Sequence, residues 1–173
     1  LGDLMVGKHA TDAAAPVLPV EASPALDLSA FSTLEQIIPA LADKRVVFIG
    51  EQHSRYDHHL TQLEIIRRLH ILHPQLAIGM EMFQQPFQHY LDDYVAGRLD
   101  EQAMLRATEY YQRWRMDYRH YAPILRYARE HRLPLVALNV PTELTREVGR
   151  VGIEGLNEED RQQLPRQVVL NLP

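Results

Sequence analysis

The sequence contains no cysteine. Disulfides, thiolate metal sites and cysteine nucleophiles are thereby excluded. No apolar run approaches the roughly 20 residues that a membrane-spanning helix requires. There is no basic excess either: 18 Lys and Arg stand against 23 Asp and Glu, a net charge of −5. A nucleic-acid partner, which calls for a basic face, is not expected. Tryptophan occurs once, at Trp114. No signal-peptide pattern follows Leu1, and a lipid-bearing cysteine would lie outside this chain. Membrane attachment through such an anchor therefore stays compatible with the sequence.

What is present suits one soluble α/β domain. The 173 residues are 46% hydrophobic and 24% charged, which supplies enough apolar material for a core. Residues 1–30 end in an Ala- and Pro-rich stretch and are expected to form a flexible N-terminal tether. Residues 31–173 are expected to form a single α/β domain that continues past Pro173, because "NLP" is not a natural finish.

Three short, nearly continuous apolar runs read as strands covered on both faces. They are Arg45–Ile49, Leu76–Met82 and Leu133–Val140, with Arg166–Leu170 as a fourth candidate. Helical patterns lie between them. Tyr56–Leu72 places Leu60, Leu63, Ile66 and Leu69 on one face, with Ser54 or Asp57 at its start. Gln85–Ala96 has Pro86 in its first turn and Gly97 past its end. Asp100–Arg115 and Tyr121–His131 follow, and Thr142 and Asn157 are placed to cap later helices. Alternating strands and helices imply right-handed crossovers and a small, mainly parallel sheet flanked by helices.

In such a sheet, ligands bind beyond the carboxyl ends of the strands. The first run delivers Glu51 and His53 there, the second Glu81 and the third Asn139. His58 opens the following helix at the same edge and shares a face with Gln62. Glu51, His53, His58 and Glu81 are thus candidate metal ligands. Glu51, His53 and Glu81 are the candidate catalytic groups of a metallohydrolase. The bland alternative is a hydrogen-bonded structural network, with Glu51 as a cap or half of an ion pair.

A second constellation is aromatic. Five of the eight tyrosines and the one tryptophan lie between Tyr110 and Tyr127, interleaved with Arg113, Arg115 and Arg119. Its bland reading is helix packing. Its sharper reading is a flat apolar ligand with acidic arms, such as a porphyrin. Rings would stack on such a ligand, a tyrosinate would bind ferric iron and arginines would pair with carboxylates. Tyr111, Trp114, Arg115, Tyr118 and Tyr121 are the candidates.

The ordered motifs resemble the ChaN-like haem-binding lipoprotein family, in a superfamily with the Tiki and TraB proteins. They are Gly50-Glu51 with His53, then His58, Glu81–Phe83, Tyr121–Ile124 and Asn139. The family often carries Trp three residues before the Tyr of Tyr-x-Pro-Ile. Here Tyr118 stands there and Trp114 lies one turn earlier. The resemblance implies an EreA/ChaN-like α/β domain that binds haem for iron acquisition, the haem being held through tyrosine at a homodimer interface. It implies a lipoprotein of the cell envelope, in the periplasm or at the outer membrane. It favours a binding protein over an enzyme. The Tiki relatives supply the alternative, a metal-dependent hydrolase with a divalent ion at Glu51, His53 and Glu81.

Overall fold

A computed structural model of the chain describes residues 32–164. The expected tether at 1–30 and the candidate strand Arg166–Leu170 lie outside the described residues. Helices α1 (Leu34–Ala42) and α2 (Tyr56–Leu72) precede strand β1 (Ile78–Gln84). After a 3-10 turn at Gln85–Phe87 come α3 (Gln88–Val95), α4 (Glu101–Ala107) and the single turn α5 (Tyr110–Arg113). A second 3-10 turn, Tyr118–His120, leads into α6 (Ala122–Glu130), β2 (Leu135–Asn139), α7 (Thr142–Val151) and α8 (Glu158–Gln162). The expected α/β class and parallel crossover are present. Among the described residues, no helix is long and apolar enough to cross a membrane.

Strands β1 and β2 pair in parallel, with Ile78 opposite Leu135 and Met80 opposite Ala137, then a register shift before Gln84 meets Asn139. The outer edge of β2 is closed by a side chain. The Gln88 amide donates to the Leu135 carbonyl at 2.7 Å and accepts from the Ala137 N–H at 2.7 Å, taking the place of a third strand's peptide. Alternation then divides the sheet. Ile78, Met80, Met82, Leu135 and Ala137 are buried, while Gly79, Glu81, Val136 and Leu138 face outward. The buried face packs on Leu63, Ile66, Leu91, Tyr94, Met104 and Leu125. Each fully buried Leu or Met of this kind contributes roughly 1.5–3 kcal/mol relative to exposure.

The first predicted strand is corrected. Arg45–Ile49 forms no ladder among the described residues. Val47 and Ile49 pack against the Ile38–Ile65–Leu69 cluster of α1 and α2, whereas Val46 and Phe48 are 65% and 92% exposed. Four apolar residues in a row suggested two covered faces. The structure covers one, and a half-buried extended segment needs no strand partner to show that alternation.

The predicted helix over Asp100–Arg115 is also corrected, into two pieces. Glu109 takes a left-handed conformation at φ 51° and Arg115 at φ 67°, so the aromatic segment folds back on itself instead of running on as one cylinder. Asp100 does cap α4, accepting from the Ala103 N–H at 2.7 Å. Arg113 then docks this segment at the end of β1. It donates to Gln84 at 2.8 Å, to Glu109 at 2.8 Å and to Glu143 of α7 at 3.1 Å. The aromatic residues are thereby brought to the sheet edge where Glu51 and Glu81 arrive.

Candidate functional site

The site begins in the loop after Gly50. Glu51 is 6% exposed, and its Oε1 lies 2.5 Å from His53 Nδ1. His53 Nδ1 is also 4.0 Å from Glu81 Oε1. A ring nitrogen held by a carboxylate is common among metal-binding histidines. Glu81 stands on the outward face of β1 and is 53% exposed, so the cluster opens to solvent on its side. Glu51, His53 and Glu81 each place a ligand atom within 4.8 Å of the others. The predicted convergence of these three residues is therefore present in space.

His58 is not gathered with them. Its Nδ1 accepts the Gln52 N–H at 3.1 Å and pins the loop. The imidazole that reaches the cluster is His59, which is 1% exposed. Its Nδ1 lies 3.0 Å from Gln62 Oε1, and Gln62 Nε2 donates to the Ile49 carbonyl at 2.8 Å. Its Nε2 faces the His53 carbonyl at 3.2 Å and Glu51 Oε2 at 3.6 Å. His58 and His59 sit one residue apart near the helix start, so helical spacing to Gln62 admits either. The discriminating signal was the buried stripe itself. His59, Leu63 and Ile66 follow an i, i+4, i+7 progression, and Leu60, expected on that stripe, is 43% exposed.

Trp114, His120 and Tyr121 of the aromatic segment join this cluster. Trp114 meets the His53 ring edge-on at 4.8 Å between centroids. Tyr121 packs edge-on against His59 at 4.5 Å and lies 6.4 Å from Trp114. His120 lies 5.6 Å from His59. Burial pushes the Tyr121 phenol up to about 12, against a lowering contribution from Trp114, and the charges of Glu51 and Glu81 add to the rise.

The other predicted haem contacts are placed as follows. Tyr118 is 4% exposed and belongs to the core with Tyr110, and burial raises both phenols. Tyr127 is half-buried and bonded to His70 at 2.9 Å. Tyr111 is 57% exposed. It lines a cavity of about 280 Å³ with Gln102, Leu105, Arg106 and Gln112. Gln112 also borders a neighbouring hollow of about 460 Å³, into which Arg113, Arg115 and Arg146 are set.

A small parallel sheet with acidic and imidazole groups gathered at its carboxyl edge defines an α/β ligand-binding domain. Which one is given by comparison: the chain belongs to the family described as "Haem-binding uptake, Tiki superfamily, ChaN", which matches residues 37–172. The chain is also similar to "Protein RETICULATA-RELATED 5, chloroplastic" of Arabidopsis thaliana, with 31% identity over 129 residues. That match covers 70% of this chain and 17% of the plant protein, so the chain spans under a fifth of that relative's length. No solved structure matches the chain.

Proposed function

We propose that this protein binds haem for uptake, with Tyr111 as the iron ligand. The observation that carries this reading is the position of that phenol. Among the tyrosines of the aromatic segment it is the exposed one, between a cavity walled by Leu105 and a hollow carrying Arg115 and Arg146. A porphyrin needs an apolar rest for its ring and cations for its two carboxylate arms. The residues present fit that group. A cavity of about 280 Å³ falls just below the roughly 300–1,000 Å³ usual for ligand pockets. One chain therefore covers part of a haem, and a second copy on the exposed side completes the enclosure. A homodimer anchored by lipid at the cell envelope goes with this reading. Hemin titration tests it: the full protein should develop a Soret band. Tyr111→Phe should weaken binding beyond the roughly 10–100-fold typical of losing an outer-shell partner of a metal, and Tyr118→Phe should not. An unchanged titration for Tyr111→Phe would remove this assignment.

A second reading is favoured by the edge cluster. The buried Glu51 Oε2 has no hydrogen-bond partner, and the three ligand atoms lie within 4.8 Å of one another, so the donor set fits a divalent cation. Glu51, His53 and Glu81 would hold it. Such an ion supplies Lewis acidity and an acidified water. The solvent-facing carboxylate of Glu81 is placed to ligate the ion or to accept a proton. Mixed carboxylate and imidazole ligation suits Mn, Fe or Zn. Elemental analysis and calorimetric titration with Mn²⁺ check this. Glu81→Ala should lower metal affinity by about 10–100-fold or more, and retention of the same metal content would rule out the site.

A further inference from the structure

Away from the sheet-edge cluster, a second group of imidazoles meets where two helices end. Helices α2 and α6 pack on each other. His70 stands in the last turn of α2, and His131 is the C-cap of α6. Their rings lie 5.2 Å apart between centroids, although they belong to elements far apart in the chain. Tyr127, one turn before His131, touches both: its ring is 4.2 Å from His131 and 5.8 Å from His70. Its hydroxyl lies 2.9 Å from His70 Nδ1. His70 and Tyr127 are half-buried and His131 is exposed, so the group is anchored on its inner side and open to solvent on its outer side.

The donor set suits a transition ion. A ligating imidazole is typically held through its other ring nitrogen, which fixes the ring. The Tyr127 hydroxyl holds His70 in that way through Nδ1, and Nε2 is the nitrogen left over. His131 meets its neighbours through ring contacts alone. Two nitrogens that share one ion at about 2.0–2.1 Å stand no more than about 4 Å apart, a spacing that rings with centroids 5.2 Å apart can present. The group also lies at the ends of two helices, where the dipoles favour positive charge. The Arg67 guanidinium, 5.4 Å from the centre of the Tyr127 ring, opposes a cation. Calcium and magnesium, which take oxygen ligands, are therefore not expected here. Imidazole donors favour copper over zinc.

We propose that His70 and His131 form a nitrogen-donor site for a divalent transition ion, copper foremost, with Tyr127 positioning His70. The ion ties the end of α2 to the end of α6. This site is separate from the edge cluster and rests on neither functional reading above.

The test is calorimetric titration of the full chain with Cu²⁺, together with the electron paramagnetic resonance of the bound copper. The wild type should take up a copper whose spectrum shows two coupled imidazole nitrogens. His131→Ala should lose one equivalent of copper and that signal. His131 is exposed, so the variant keeps the fold, which circular dichroism checks, and His70→Gln gives a second arm with the same expected loss. Tyr127→Phe should keep the two-nitrogen spectrum but weaken binding by about 10–100-fold, as for an outer-shell partner. Glu81→Ala should leave this equivalent in place. A wild type that takes no copper, or the same stoichiometry and spectrum in His131→Ala, would overturn the proposal. So would loss of the two-nitrogen signal in Glu81→Ala, which would assign the copper to the edge cluster.

Discussion

His59→Ala is expected to destabilise the protein by about 3 kcal/mol or more, because several buried polar groups each lose a partner at about 1–3 kcal/mol apiece. For a chain of this size that is a fall of roughly 10 °C in melting temperature. The reason is the number of separate segments this 1% exposed ring holds. Through Gln62 it fixes the Ile49 carbonyl, and through Nε2 it meets the His53 carbonyl and Glu51. It also packs on Tyr121 and His120. Alanine would leave Glu51, itself 6% exposed, without the group it faces across 3.6 Å. Thermal unfolding of a double-mutant cycle with Glu51→Gln isolates that part. In the His59→Ala background, Glu51→Gln should restore about 1–2 kcal/mol by neutralising the carboxylate that had faced His59. Strict additivity of the two changes would mean that His59 acts through packing alone.

That role explains what was legible in the sequence and what was not. Helix α2 keeps its predicted ends, Tyr56 and Leu72, because its apolar stripe and flanking loops leave little freedom. The meeting of Glu51, His53 and Glu81 follows from parallel topology. It is present even though Arg45–Ile49 forms no ladder among the described residues, because the segment still runs toward the same edge. The choice between His58 and His59 needed to know which residue of α2 continues the buried stripe, and two neighbours on a helix start differ by only one step in rotation.

The tyrosines were less legible for a different reason. Residue type carries no information about facing: Tyr110 and Tyr111 are adjacent on α5, yet they are 0% and 57% exposed. The joining of the aromatic segment to the acidic cluster depends on the reversals at Glu109 and Arg115. Both are non-glycine residues at positive φ, a conformation such residues adopt only occasionally and that composition does not announce. Once the chain turns there, Trp114 lands on His53, and parts of two constellations about 60 residues apart in sequence meet in one cluster.

Alkali is expected to unfold this protein steeply, because four of its phenols are held neutral by burial. Tyr94, Tyr110 and Tyr118 are raised chiefly by desolvation, and Tyr121 is raised to about 12 for the same first reason. In the unfolded chain each ionises near pH ~10. Their stabilising contribution is therefore complete below that value and is lost as pH rises above it, when the unfolded chain gives up protons that the folded one keeps. Four such groups correspond to about 5 kcal/mol per pH unit, against a typical total stability of about 5–15 kcal/mol. Far-ultraviolet circular dichroism should thus be lost between pH ~10 and ~12, together with the appearance of phenolate absorbance from these residues. Tyr118→Phe should reduce the slope by about a quarter. The result bears on the haem ligand directly. A tyrosinate ligand must lose its proton, and a phenol that does so only on unfolding cannot serve folded protein at neutral pH. If phenolate instead develops for Tyr118 or Tyr121 while the circular dichroism is intact, those side chains are reachable in the fold, and the assignment of iron ligation to Tyr111 loses its basis.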